Sequence, residues 1–439
     1  MEDLVCRIEE IVWSYPLIML LLFIHLLYTV ILKFPQKNIL YGLKSMFKID
    51  KKNEISSFNS LMTVLAAMIG TGNIIGVSSA ILVGGVGSIF WIFISGVLAI
   101  STKYAETFLC LKYRRSKLNK FTGKINYYGG TMYVLSDRLN NKVLACLFSV
   151  FVILASFGIG SMIQSNASST IIVRNFGFDI NAVAIIITTI CGIVVFSSAK
   201  IISKVSSIIV PISTVVFIVM QVGLIWVFRD NILNAIYLII SDAFTIKAGA
   251  TGILTSVVVK QISVGLSKGM FSNEAGMGST PIFECTSSEN DIAKQATISS
   301  VSVFIDTVCL CTFTGIIFVA SKLYLNESSP TDLVSNVFSN IPFGNGLLTF
   351  CLVSFAISAI PCWSYYGKVA VKYLFRSDLL VVLYRVLYIV CIYVGCVTHI
   401  TVVWSISGVA NALMVIPNIW VLLKLSHEVP GFTMEKSLE

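Results

Sequence analysis

Ala66-Ala67-Met68-Ile69-Gly70-Thr71-Gly72-Asn73-Ile74-Ile75-Gly76 interrupts an apolar run long enough to cross a membrane. A second such run breaks at Asn273-Glu274-Ala275-Gly276-Met277-Gly278. Glycine lets a backbone leave the helix, and N–H and C=O groups freed in hydrocarbon need a ligand or another protein group to satisfy them. Two Gly-rich interruptions at corresponding places in two halves of a membrane chain point to the binding site of a transporter.

The rest of the chain supports a membrane setting. Its 439 residues are 56% hydrophobic and 12% charged, against about 25% charged in an ordinary soluble chain. Apolar stretches recur from end to end, each able to cross a hydrocarbon core of ~30 Å. The basic residues behind the net charge of +9 sit in short connections. There they bear on topology and anionic headgroups rather than on nucleic acid. The eleven cysteines lie mostly inside apolar runs, and Cys309 and Cys311 form an isolated C-x-C, so neither a metal centre nor a disulfide framework is expected. Glu2, Asp3, Glu9 and Glu10 make a poor signal-peptide start, and the first apolar run reads as a retained helix. His25, His399 and His427 are scattered, and neither H-E-x-x-H nor G-x-S-x-G occurs. No enzyme and no enzymatic cofactor are expected.

The expected fold is an all-α polytopic membrane protein with eleven transmembrane helices: 16–34, 60–82, 87–111, 143–166, 181–197, 205–228, 250–283, 295–321, 344–367, 380–400 and 402–424. Lys and Arg crowd alternate connections, among them Lys33 to Lys52 and Lys112 to Lys142. The positive-inside rule then puts the N-terminus outside and the C-terminus in the cytoplasm. Setting aside the extra N-terminal helix 16–34, ten spans remain in two groups of five, 60–228 and 250–424. Each group is opened by a broken helix, and the two run in opposite senses. That is the inverted-repeat transporter plan, in a single membrane domain.

Unwinding at the first break would give the half-helix after Asn73 free N–H groups and a positive dipole end, suited to a carboxylate. Carbonyls near Ala67 to Gly70 would suit a hard cation such as Na⁺. The alternative is close helix packing, since Gly72 and Gly76 have small-xxx-small spacing. At the second break Glu274 could ligate, pair with Lys268 or cap a half-helix. No Walker-type G-x-x-x-x-G-K-[ST] is present, which argues against nucleotide binding. Other polar residues within spans have two readings each. Lys103 and Glu106, i, i+3 near the cytoplasmic end of a span, are a structural ion pair or snorkel toward the interface. Asp306 is a functional candidate or an interhelical hydrogen-bonding group. Gln164 follows the small-residue run Ser156-Phe157-Gly158-Ile159-Gly160-Ser161 and is a ligand group or structural glue. Trp363 walls a pocket or joins an interfacial aromatic belt.

Ala66 to Val77, Lys103 to Arg114, Ala155 to Gln164, Phe271 to Pro281, Val303 to Thr307, Trp363 to Gly367 and Asn411 to Asn418 resemble the alanine/glycine:cation symporter family of prokaryotic amino-acid transporters, in order over nearly the whole chain. The resemblance implies a LeuT-like 5+5 fold in the prokaryotic plasma membrane. It also implies import of alanine or glycine coupled to Na⁺ by alternating access. An H⁺-coupled variant or a transport-inactive amino-acid sensor of the same fold are the alternatives. Carried over by position, Thr71, Gly72, Asn73, Phe157, Gln164, Phe271, Ser272, Asn273 and Trp363 would surround the substrate. Ala67, Gly70 and Ser358 would hold Na⁺. Three positions depart from the family pattern: Cys362 stands for a usual Gly, Lys368 for Glu and Gly408 for Asp. Cys362 is expected to take up pocket volume.

Overall fold

In hydrocarbon every backbone N–H and C=O has to be satisfied within its own segment, so uninterrupted apolar runs become helices. The computed structural model describes residues 12–13, 15–47, 55–118, 125–244, 254–398 and 400–431. Its principal helices are α1 (Tyr15–Ile31), α2 (Ser57–Met68), α3 (Gly72–Gly84), α4 (Ser88–Lys112), α5 (Lys142–Phe176), α6 (Ile180–Val195) and α7 (Ala199–Val227). They continue with α8 (Arg229–Phe244), α9 (Leu254–Asn273), α10 (Ile292–Ser321), α11 (Gly344–Phe375), α12 (Asp378–Val397) and α13 (Ile400–Lys424). Among the described residues seven helices are long and apolar enough to cross a membrane, or up to nine if each of two bent pairs is one span. The start of the expected 250–283 span and position 399 lie outside the described residues.

Start signals fall where side chains can satisfy orphan N–H groups. Ser56 accepts from Asn59 N, Asn141 from Leu144 N, Asp179 from Ala182 N and Asp291 from Lys294 N.

Several expectations are corrected. The stretch after 228, read as a connection, is helix α8. Its Ala235, Ile239 and Ala243 recur every four residues and form one buried face, while Leu233 and Tyr237 remain exposed. Helix α5 runs ten residues past the expected end at 166. The polar run Ser168-Ser169 does not end it, because these hydroxyls donate to carbonyls of Leu352 and Cys396 on neighbouring helices (3.3 and 2.9 Å). It stops at Gly177, whose φ of 68° is left-handed. The all-α class holds, with one short hairpin in the connection between α4 and α5. Strands β1 (Arg115–Leu118) and β2 (Ile125–Tyr128) form an antiparallel hairpin pairing Arg115 with Tyr128 and Leu118 with Ile125.

One end of the bundle is fastened by Glu428. Its carboxylate receives Lys112 Nζ at 2.8 Å, Arg138 Nη2 at 2.8 Å and the Tyr113 hydroxyl. Partial desolvation works against its charge, but these donors outweigh it and bring the carboxyl down to about 2.

Candidate substrate and ion site

The first break is a 50° bend between α2 and α3. Ile69 takes an extended ψ of 118°. Gly70 N–H, which a continuous helix would aim at the Ala66 carbonyl, donates instead to Asn73 Oδ1 at 3.0 Å. Residues Gly72–Gly76 then form a widened turn, as do Ser156–Ile163 in α5 and Phe304–Cys311 in α10. Such turns recur at functional sites.

The first break and the α10 turn converge with the end of α9. A Cβ built on Gly72 would lie 3.5 Å from Ser272 Cα and 3.6 Å from Phe271 Cδ1, so the first break abuts the last turn of α9, which runs into the second break. Between them lies the buried Asp306. Asn73 Nδ2 donates to Asp306 Oδ1 at 2.7 Å, and Ser272 Oγ and Thr307 Oγ1 donate to Oδ2, each at 2.7 Å. One carboxylate therefore joins the first break, the end of α9 just before the second break, and the widened turn of α10. Asn73 and Ser272, expected to face substrate, have their side chains occupied in this junction.

The second break is the non-helical stretch 274–280, with Glu274, Gly276 and Gly278 at φ of 54°, 86° and 72°. A Cβ on Gly278 would lie 2.6 Å from Asn418 Oδ1, so the turn needs glycine both for its φ and for space. The buried Glu106 organises it. Glu106 Oε2 accepts from Gly276 N (3.0 Å), Gly278 N (3.2 Å) and Asn418 Nδ2 (3.0 Å), while Lys103 Nζ stands 3.7 Å from Oε1. Lys103 Nζ also donates to Thr280 Oγ1, and Glu274 accepts from Ser279 Oγ at 2.5 Å. Snorkelling is thereby overturned for Lys103 and Glu106, both of which are buried.

Around the first break and along the widened turn of α5 beside it, the described residues leave polar atoms buried without a hydrogen-bond partner: Thr71 Oγ1, Gln164 Oε1, Asn273 Nδ2, Trp363 Nε1 and both side-chain ends of Asn411. Gln164 reaches Gly70, with Oε1 2.8 Å from where a Cβ would sit. One turn earlier on the same face of α5, Gly160 lets Trp363 of α11 approach, a Cβ there lying 2.7 Å from the indole Cγ. Gly158 meets Ser407 of α13 in the same way, and Asn411 follows one turn beyond. The small-residue run of α5 thus brings α11 and α13 against the broken helix. Each orphaned atom costs about 1–3 kcal/mol when nothing pairs with it, so the arrangement suits a small polar ligand with donors and acceptors at both ends.

Not every expected residue joins this cluster. Phe157 packs on Tyr384 and Tyr388 of α12 (ring centroids 5.3 and 6.0 Å), in an apolar cluster separate from that of the breaks. Ser358 Oγ donates within α11 to Phe355 O (2.9 Å) and Ser354 O (3.1 Å), and the described contacts do not bring it to Ala67 or Gly70. Trp363 is fully buried, edge-on to Tyr366 at 5.3 Å, which overturns the interfacial-belt reading. The Cys362 thiol lies 3.6 Å from Ser206 Oγ on α7, so its volume is taken up at that helix contact. Asp306, Asn418 and Thr131, whose hydroxyl donates to Asn418 Oδ1 at 2.9 Å, are not among the expected site residues. The signal for Asp306 was a carboxylate inside the apolar run Phe304-Ile305-Asp306-Thr307.

A family model described as the sodium:alanine symporter family matches residues 1–435. Sodium/alanine symporter AgcS of Methanococcus maripaludis is 34% identical over 445 residues, spanning 98% of this chain and 96% of its own. Probable sodium/glutamine symporter GlnT of Bacillus subtilis is 31% identical, over 98% of this chain and 89% of its own. Among solved structures, MhsT in complex with L-phenylalanine matches 84% of this chain and 88% of its own, with a TM-score of 0.57 at 13% identity. That likeness concerns the fold, which is LeuT-like.

Proposed function

The chain belongs to the sodium:alanine symporter family, and from that premise we propose that it imports a small neutral amino acid, alanine or glycine, together with Na⁺. Membership makes it a multi-pass, Na⁺-coupled amino-acid symporter; the substrate and the mechanism are our reading. The observation that carries it is the contact of two broken helices at one buried carboxylate, with unpartnered polar atoms around the first break. In this reading the substrate carboxylate lies on N–H groups opening α3, where the helix dipole favours negative charge. Thr71, Gln164 and Asn273 supply neutral donors and acceptors, with Gly72 and Phe271 as walls and Trp363 at the α5 side. Na⁺ is cargo. It is held by carbonyls near Ala67 and Gly70; the Ser358 hydroxyl, bonded within α11 in this structure, joins them only by turning its lone pairs toward the ion.

We place the chain in the plasma membrane of a prokaryote, N-terminus outside and C-terminus cytoplasmic, because basic residues crowd alternate connections. The nine spans counted with bent pairs become eleven when α6 and α9 are added, one short and one polar. Spans after α1 then form two inverted groups of five, and rocking of one against the other alternates access. One Na⁺ entering down 100 mV contributes ~2.3 kcal/mol to uphill uptake.

Uptake of labelled alanine into proteoliposomes tests this reading. Accumulation above the external concentration should require an inward Na⁺ gradient. Uptake that runs equally well with no ion gradient refutes symport, and accumulation on a proton gradient alone moves the coupling to H⁺.

Two substitutions sharpen the site. Gln164→Ala should weaken alanine binding about tenfold, the equivalent of one good hydrogen bond to a charged group, with normal membrane insertion; isothermal titration reads it, and unchanged affinity returns Gln164 to a structural role. Gly72→Ala should keep most uptake, since a Cβ meets only ordinary contacts there. Gly72→Leu should lose it, because the larger side chain has to enter the space between the breaks. Retained uptake by the leucine variant would favour the packing role of the glycine.

A further inference from the structure

We propose that a basic cavity at the hairpin end of the bundle binds a multiply charged phosphate-bearing anion, at a site distinct from the amino-acid site. The cavity encloses about 780 Å³ between β1, β2, the start of α5 and the end of α11. Six cations line it, Arg115, Lys117, Lys142, Lys368, Lys372 and Arg376, against one lining carboxylate, Asp137.

The pairing pattern is the decisive feature. Arg115 is held by Asp137 in a two-pronged contact at 2.6 and 2.7 Å, and Lys372 pairs with Asp378. Lys117, Lys142, Lys368 and Arg376 have no carboxylate within salt-bridge distance among the described residues. Lys368 is half-buried, and its ammonium lies over the Tyr365 ring at 5.5 Å. Four like charges facing one concave space repel each other and focus a positive potential into it. A single monovalent anion would leave most of that charge uncompensated, whereas a di- or polyphosphate group meets several cations at once through charge-assisted hydrogen bonds. The aromatic side is formed by Tyr128, Tyr133 and Tyr373, stacked edge to face at 5.5 and 5.1 Å. Arg115 lies 4.9 Å over Tyr133, which in turn packs on Tyr373 of α11 and so links the hairpin to that helix. An anion seated here would bridge the hairpin, α5 and α11. The same phosphate chemistry is offered by an anionic lipid headgroup and by a soluble phosphate ester.

The test uses the full chain, purified in neutral detergent, and reads binding and thermal midpoint, so its failure leaves the symport reading untouched. The probes are pyrophosphate, short-chain phosphatidic acid and, as a control, short-chain phosphatidylcholine. We expect pyrophosphate, phosphatidic acid or both to raise the midpoint, less so as salt is raised, with phosphatidylcholine inert. Pyrophosphate binding identifies a soluble source; response to phosphatidic acid alone identifies the lipid. Lys368→Gln with Arg376→Gln should weaken binding about tenfold or more. Lys117→Gln and Lys142→Gln change exposed side chains and read the same cavity without threatening the fold. Lys424→Gln, outside the cavity, should bind normally. No response to either anion, an equal response to phosphatidylcholine, or full binding by all the cavity variants would overturn the proposal.

Discussion

Asp306→Ala should abolish amino-acid uptake while the protein still reaches the membrane. The carboxylate accepts from Asn73, Ser272 and Thr307 in a buried place. Its removal orphans three donors, each costing about 1–3 kcal/mol, and frees the first break and the end of α9 from their common partner. Asn73 would then no longer be held for its contact with Gly70 N, and the entry to α3 loses its geometry. Asp306→Asn keeps the shape but puts an amide N–H₂ among donors, so it should retain the fold and lose most uptake. Proteoliposome uptake, with size-exclusion profiles as the folding control, decides the matter. Wild-type uptake by Asp306→Ala would show that the junction is not part of the transport path.

Glu106→Ala should cause the largest loss of stability. It strips the acceptor from Gly276 N, Gly278 N and Asn418 Nδ2, and leaves Lys103 buried without its counter-charge. Breaking a buried pair in this way costs about 3–5 kcal/mol. A fall in thermal midpoint on the order of 10 °C is expected. Glu106→Gln retains an acceptor for the backbone N–H groups but not the charge opposite Lys103, and should fall in between. A midpoint within a degree of wild type for Glu106→Ala would mean that the 274–280 turn is held by something else.

The two breaks were legible in the sequence because their cause is local. Glycines at 70, 72, 276 and 278 inside apolar runs tell where a helix cannot continue, whatever surrounds it. Gln164 was legible for a related reason: the small-residue run before it announces a close neighbour, and Gly158 and Gly160 do admit α13 and α11. Ser358 and Phe157 were named through resemblance, which assigns a position but not a partner. The hydroxyl of the one bonds within its own helix, and the ring of the other packs on α12. Helix α8 is weakly marked in the sequence because its buried face is only three residues, Ala235, Ile239 and Ala243, between polar ends.

By itself, the sequence determined a helical membrane chain with two broken spans, since hydrophobicity and glycine act over a few residues and need no tertiary context. Only the tertiary structure decided which polar groups meet. Asn73 and Asp306 are 233 positions apart, and Glu106 and Asn418 are 312 apart. A buried carboxylate takes whichever donors the packing of distant helices brings within hydrogen-bond reach, and no local pattern records that choice.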